Sequence, residues 1–406
     1  MLSKMRNGEI WSKTFTLLFL LTIFDQMAFL CTRAIISKYA LDLGFSETLA
    51  GVIAGALSVA ALFSRPIAGR ILVSSKVTHK TVLLSSVICS LLVVCGYMLF
   101  SDFVPLFLVR IFNGITYGVS GTVELTMASN TLSQKNMGRG IGLFGLGNII
   151  GLAVAPTISV ALYDGFGPKM LFVFCILTSL IAIVIALCIP SQPVDRNEAP
   201  AKEKSTRSER KTFFAVLNSI FAVEALVPSV LNFASQIAYA SISAFIVVYG
   251  GLKGWEQIGL FYTVYSIALF VFRPINGRIY DKNGLPIMVV LGNLSFAFGI
   301  FLISVTDAFA VCLLAAVFCA YGYGGAICTY QADAIKSAGK ARRGIASGTY
   351  FMLNDCGGFI GSTLAGIAVV QLGYSTMYKV FMLPLFAAIV FFGVVMIYRN
   401  QRKKKL

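Results

Sequence analysis

The chain has 406 residues, of which 57% are hydrophobic and only 12% are charged. Average soluble domains carry roughly 25% charged residues, so this composition excludes an ordinary soluble protein. The positive residues behind the formal net charge of +16 lie mostly in loops, tails and helix ends, which argues against a nucleic-acid-binding surface and favours contact with anionic lipid headgroups.

Twelve apolar segments follow one another, six on each side of a polar stretch at 190–211. Each has about 20 residues, enough to cross a ~30 Å hydrocarbon layer as a helix. The first segment exceeds the core of a signal peptide and carries Asp25, so we interpret it as a membrane helix. The sequence therefore predicts an all-α membrane protein with twelve transmembrane helices in two six-helix bundles.

Charged residues inside apolar segments are candidates for function, because a membrane makes them costly. Helix 1 carries Asp25 near its middle and Arg33 two turns later, and helix 11 carries Asp355 near its middle. One predicted face of helix 4 consists of Arg110, Gly114, Tyr117, Gly121 and Glu124. A buried arginine needs an anionic partner, so either a structural ion pair or a proton-coupling element is expected here.

Helix 5 carries small residues at every fourth position in "GLFGLGNIIGLAVAP", namely Gly147, Gly151 and Ala155, before Pro156. Small residues at this spacing let helices pack closely in lipid. The polar stretch that follows helix 6 is rich in Pro, Ser, Lys and Glu, which is typical of a flexible linker. We expect an N-terminal bundle at 1–190, a linker at 191–211 and a C-terminal bundle at 212–406.

The two halves share short sequences in the same order. The heptad "SRPIAGR" at 64–70 recurs as "FRPINGR" at 272–278, Gly114 corresponds to Gly322 at the same offset, and "RGIG" at Arg139 recurs as "RGIA" at Arg343. Three matches at nearly one spacing indicate a duplicated six-helix bundle. Each heptad is expected to end a helix at the inner surface, with glycine allowing close packing.

With these heptads the chain resembles the major facilitator superfamily over nearly its whole length. In that family the loop after helices 2 and 8 forms part of the inner gate. The matching residues here are Arg65, Gly69, Arg70, Arg273, Gly277, Arg278 and Asp281. Val73 stands where the family usually has Asp, so the N-terminal copy departs from the pattern. We expect Asp281 to approach the start of helix 5, near residues 135–139.

The resemblance also suggests roles for the buried charges. Arg110 and Gly114 match the family's helix-4 motif, and Gly147, Gly151 and Pro156 resemble a helix-5 motif that is typical of drug:proton antiporters. Because helices 1 and 4 lie together in this fold, Asp25 is the first expected partner of Arg110, and Asp355 the second. Arg33 could pair with Asp25 or bind an anionic substrate, and Glu124 could extend toward the inner surface.

Helices 1, 4, 7 and 10 line the central cavity of such proteins. The expected substrate contacts are Tyr117, Gln236, Tyr239, Ser243, Tyr323, Tyr330, Gln331 and Asn354. Packing against neighbouring helices is an alternative interpretation for each of them.

Other chemistry is sparse in the sequence. The nine cysteines show no CxxC spacing, which predicts neither disulfides nor a metal site. His79, the only histidine, lies in a basic stretch and is interpreted as a solvated loop residue. The sequence contains no GxxxxGK[ST] run, so it does not predict a nucleotide-binding site. We expect a protein that is not an enzyme and uses neither cofactor nor metal.

Most Lys and Arg fall in loops on one side of the predicted membrane, which predicts cytoplasmic termini and linker by the positive-inside rule. The expected protein is a monomeric secondary transporter of the cell or inner membrane, exporting small amphipathic compounds in exchange for protons. The alternatives are an uptake symporter or exchanger of organic anions, a lipid flippase and a membrane sensor.

Overall fold

The computed structural model describes residues 11–73, 77–132, 137–190 and 222–404, and within these ranges the chain is helical without β-strands. The predicted linker at 191–211 lies outside them. The first half contains α1 Lys13–Asp42, α2 Glu47–Val73, α3 His79–Leu99, α4 Phe103–Asn130, α5 Met137–Phe166 and α6 Pro168–Cys188. The second half contains the 3-10 turn Val223–Ala225, α7 Leu226–Leu252, α8 Leu260–Asn283, α9 Leu285–Val305, α10 Phe309–Ser337, α11 Gly339–Val380 and α12 Leu383–Lys404.

Ten of the described helical segments are long and apolar enough to cross a membrane, and Leu383–Tyr398 is a shorter apolar helix. A π-helical turn at Ala320–Gly324 interrupts α10. The range of α11 contains a break at Gly373, where φ is 74°, a conformation that suits glycine. Gly167 adopts a similar φ of 84° before α6, so the break within α11 and the start of α6 share one backbone conformation.

His79 does not lie in a solvated loop, contrary to expectation. Thr78 caps α3 by accepting a hydrogen bond from the backbone of Thr81, which places His79 in the first turn of the helix. The imidazole is buried, with Nε2 3.0 Å from the carbonyl oxygen of Leu72. His79 therefore helps to join the ends of α2 and α3.

We call the end of the molecule where α6 finishes and α7 begins the linker end, and the opposite end the far end. At the linker end each half has a hydrophobic core of its own, around Leu83 and Val123 in the first half and around Val289 and Tyr350 in the second. Toward the far end one continuous core includes residues of both halves. The halves are therefore joined at the far end and separated at the linker end.

The joined region is formed by α2 with α11, α5 with α8, and α1 with α7. A Cβ added at Gly51 of α2 would lie 2.5 Å from the carbonyl oxygen of Ser362 in α11, and one added at Gly366 would collide with the carbonyl oxygen of Glu47. These helices thus touch backbone to backbone near the far end, as small residues permit in membranes.

The heptads at 64–70 and 272–278 lie within their helices rather than ending them, since α2 continues to Val73 and α8 to Asn283. A Cβ at Gly69 or Gly277 would meet nothing within 4 Å. The expectation that these two glycines allow close packing is therefore wrong for this conformation, because an added side chain would meet open space.

Candidate functional site

A cavity of about 690 Å³ lies between the two halves. Residues of α1, α2, α4 and α5 form its first wall, and residues of α8 and α10 its second. Its polar and charged lining consists of Gln26, Arg65, Tyr117, Glu124, Asn148 and Arg273. A cavity of this size, mostly apolar with a few charged groups, suits a small organic molecule.

Two carboxyl groups meet in the first half beside this cavity. Asp25 of α1 is 4% exposed and Glu124 of α4 is 1% exposed, and their side chains lie within hydrogen-bonding reach of each other. Ser120 donates to Asp25 over 3.1 Å and Thr22 donates to Glu124 over 2.7 Å. Two carboxylates this close in a dry site repel unless they share a proton, so the pair is suited to holding one.

The expected ion pair between Asp25 and Arg110 is absent from the described residues. Asp25 contacts α4 at Ser120, ten residues from Arg110, which corresponds to about 15 Å along a helix. Arg110 instead lies 3.4 Å from the hydroxyl of Tyr97 and 3.4 Å from Oδ1 of Asn113. The side chain of Glu124 is buried in the protein. It does not extend toward the inner surface, as the sequence analysis had suggested.

Asp355 of α11 lies opposite Arg65 of α2, with Oδ2 3.5 Å from Nε. The guanidinium also lies over two rings, 5.4 Å from the centre of Tyr117 and 5.2 Å from that of Phe351. Asn354 donates to Asp355 over 3.3 Å. Arg65, which was expected in the gate, thus forms an ion pair between the two halves, and the sequence analysis missed this partner for Asp355.

Aromatic residues of each half stack in pairs in the core. Tyr239 of α7 and Tyr323 of α10 stack with ring centres 4.1 Å apart, and Tyr323 donates to Gln236. In the first half, Phe29 and Tyr117 stack at 4.0 Å. Each half thus has one stacked aromatic pair, and Tyr117 is the one of these four rings that lines the large cavity.

A second, narrow cavity of about 20 Å³ lies further toward the far end. Its polar lining consists of Arg33, Ser58, Arg110, Gln236, Ser243 and Ser362. The structure thus brings together Arg33, Arg110, Gln236 and Ser243, which were predicted on three different helices.

The other expected substrate contacts lie elsewhere. Tyr330 is fully buried in the core of the second half, where its hydroxyl accepts from Asn293 over 3.2 Å. Its neighbour Gln331 is partly exposed. Asn354 accepts from Asn232 over 3.1 Å, so it links α7 to α11 behind Asp355.

The gate residues are only partly brought together. Arg273 donates to the sulfur of Cys328 over 3.1 Å, and Arg278 and Asp281 are exposed. The side chain of Arg70 and those of residues 135–139, the expected partners of Asp281, lie outside the described residues.

The glycines of α5 pack on α1 within the first half. A Cβ at Gly147 would lie 3.5 Å from Thr22, and one at Gly151 would lie 3.2 Å from Gln26. One turn further, near Pro156, Thr157 and Thr263 share a hydrogen bond of 2.8 Å, and Thr263 donates to the carbonyl oxygen of Ala153. The α5 segment therefore supports the helix that carries Asp25 and also joins the halves.

Thr22 and Ser120 were missed as functional candidates. Each lies about one helical turn from a carboxylate on the same helix, Thr22 before Asp25 and Ser120 before Glu124. Hydroxyl groups at this spacing face the same way as the carboxylates, which is the signal that could have found them.

The sequence model of the Major Facilitator Superfamily matches residues 18–362. An uncharacterized MFS-type transporter of Methanocaldococcus jannaschii is 25% identical over 288 residues, which cover 70% of this chain and 72% of the relative. The staphylopine export protein of Staphylococcus aureus is 24% identical over 310 residues, or 73% of this chain and 75% of that protein.

Solved transporter structures share the fold. The nucleoside transporter NupG superposes with a TM-score of 0.75 at 16% identity, over 94% of this chain and 99% of its own. A POT family transporter in complex with 5-aminolevulinic acid gives 0.73 at 15% identity, over 94% and 95% of the two chains. At such identities the similarity concerns the fold alone.

Proposed function

Because the chain belongs to the Major Facilitator Superfamily and its matched relatives are transporters rather than enzymes, it is a membrane transporter, and we propose that it exports small amphipathic compounds in exchange for protons. Protons bind at Asp25 and Glu124, and the cargo binds in the cavity between the halves.

The observation that carries this proposal is the buried contact between Asp25 and Glu124 at the cavity wall. Glu124 lines the cavity, and no N–H or O–H group of the described residues donates a hydrogen bond to its Oε1. A proton that enters the cavity reaches Glu124 first and can pass to Asp25. Intramembrane carboxyls that face a cavity are typical proton sites in transporters.

Two observations favour export over uptake. The α5 sequence resembles the helix-5 motif of antiporters, and one matched relative is an export protein. The conformation, with the halves apart at the linker end, is the one that would load cargo from the cytoplasm if the linker end is cytoplasmic.

We propose that all twelve apolar segments span the membrane, including α8 and the segment that ends in α12, in bundles at 1–190 and 212–406 with a linker at 191–211. The distribution of Lys and Arg supports cytoplasmic termini and a cytoplasmic linker, and we propose a monomer in the plasma or inner membrane. Green fluorescent protein fused after Leu406 should then fluoresce in cells, whereas a fused alkaline phosphatase that becomes active would overturn this orientation.

Export can be tested in proteoliposomes whose lumen is acidic. A cargo that exchanges for protons accumulates in the lumen whichever way the protein is inserted, and its entry consumes the pH gradient. A dye that reports lumenal pH can screen a panel of amphipathic compounds. Asp25→Asn and Glu124→Gln should abolish gradient-driven accumulation, whereas the exposed Glu256→Gln should retain it.

Two other outcomes would contradict the proposal. Accumulation only with an alkaline lumen would assign the protein to symport, the uptake alternative. Movement of lipid analogues across the bilayer without any effect of the gradient would assign it to the flippase alternative.

A further inference from the structure

Arg110 is the largest fully buried side chain of the described residues, at 1% exposure. Its two contacts, with Tyr97 and Asn113, are long at 3.4 Å, and its Nε has no hydrogen-bond partner. A buried charge without a counter-ion is strongly disfavoured. No carboxylate pairs with Arg110 among the described residues. An anionic group of a ligand can therefore serve as its counter-ion.

Arg33 reaches the same narrow cavity from α1. The hydroxyls within electrostatic range of its guanidinium belong to tyrosines, namely Tyr117, Tyr239, Tyr262 and Tyr323. Asp355 also lies within electrostatic range, but it pairs with Arg65. Two arginines from different helices thus point to one small space, although each repels the other.

The rest of the lining consists of neutral hydrogen-bonding groups from both halves. Ser58 belongs to α2, Gln236 and Ser243 to α7, and Ser362 to α11. The volume of about 20 Å³ is close to that needed for one water, so no more than a small terminal group of a ligand can enter. Tyr117 lines the large cavity and is within electrostatic range of Arg33, and Arg110 lies two turns before it on α4, so the narrow cavity lies on the far-end side of the large one.

We propose that Arg33 and Arg110 bind the carboxylate group of the cargo, which is therefore an amphipathic organic acid or zwitterion. Guanidinium groups bind carboxylates through paired, charge-assisted hydrogen bonds. The apolar part of the same molecule then lies in the large cavity, whose lining includes Tyr117. Because both halves contribute to the site, a bound carboxylate contacts both while the far end is closed.

This inference deepens the proposed function and rests on it. It is tested by binding, without any gradient. The probe is benzoate added to the purified protein in detergent at constant pH and ionic strength, with benzamide as its neutral isostere. Benzoate should raise the melting temperature in a saturable manner, because a ligand that binds only the folded state stabilises it, and benzamide should not.

Arg33→Gln should weaken benzoate binding at least about tenfold, or about 1.4 kcal/mol, and Arg33→Lys should restore part of it. Arg110→Gln should act in the same direction if it folds. Lys379→Gln removes an exposed charge near the far end and should leave the affinity unchanged.

Equal stabilisation by benzamide, or wild-type affinity in Arg33→Gln, would overturn the inference. So would an equal saturable shift with chloride or sulfate, since the site would then hold inorganic anions. Gradient-driven transport without benzoate binding would overturn only this inference, whereas benzoate binding without gradient-driven transport of any compound would overturn only the proposed function.

Discussion

Arg65 and Asp355 are the residues whose ion pair links the two halves through side chains. Asp355 is only 8% exposed and Arg65 is 26% exposed, so solvent screens the pair less than it screens a surface pair. The rings of Tyr117 and Phe351 fix the guanidinium in place. We therefore expect the pair to favour a conformation in which α2 and α11 are close.

A double-mutant cycle with Arg65→Gln and Asp355→Asn should give a coupling free energy of about 1–3 kcal/mol in thermal unfolding. The exposed pair Lys38 and Asp164 is the control, and surface pairs of this kind couple by at most about 1 kcal/mol. A coupling no larger than that of the control would show that the buried pair is not a link between the halves.

The sequence identified the charged residues that are buried in the membrane helices, but it did not identify which of them contact each other. Asp25 lies twelve residues after the start of α1, and twelve residues before the end of the antiparallel α4 is Gly118, near Ser120 and far from Arg110. Counting depth would therefore have excluded the predicted pair. The contact between Arg65 and Asp355 could not be found in this way, because it depends on how the two halves meet.

At the scale of elements, the contact between α2 and α11 closes the far end. Gly366 makes this contact possible, because its Cα faces the backbone at Glu47 without a side chain between them. The sequence predicted small-residue packing at Gly69 and Gly277, but the close approaches occur at other glycines. Periodicity identifies small residues on a helix, but it does not identify which of them face another backbone.

Gly366→Ala should force α2 and α11 apart at the far end, at a cost of about 1–3 kcal/mol for overpacking. Gly348→Ala, in the same helix but facing open space, is the control and should be neutral or stabilise by about 0.4–1 kcal/mol. Spin labels at the exposed Ser46 and Glu256 report the far-end distance between the halves. Longer distances should be populated in Gly366→Ala, and identical distributions in both variants would contradict the assigned contact.

For the whole molecule, the repeats in the sequence predicted two similar halves, and the helices α1–α6 and α7–α12 correspond in order and in their glycine turns. The sequence could not predict that the halves are joined at the far end and apart at the linker end. The preferred conformation depends on a small difference in free energy between two sets of contacts at the interface of the halves. It places Glu124, beside Asp25, at the wall of a cavity between the halves, where a change of conformation would change the access of solvent to both carboxyl groups.

The central claim is that Asp25 and Glu124 share one proton that exchanges with the cavity. Infrared difference spectra between acidic and alkaline buffer, recorded on the protein in lipid, report the carbonyl stretch of a protonated carboxylic acid. The account predicts one such band that shifts in deuterated water, disappears or moves in both Asp25→Asn and Glu124→Gln, and persists in Glu256→Gln. A wild-type band that both variants retain unchanged would contradict the claim.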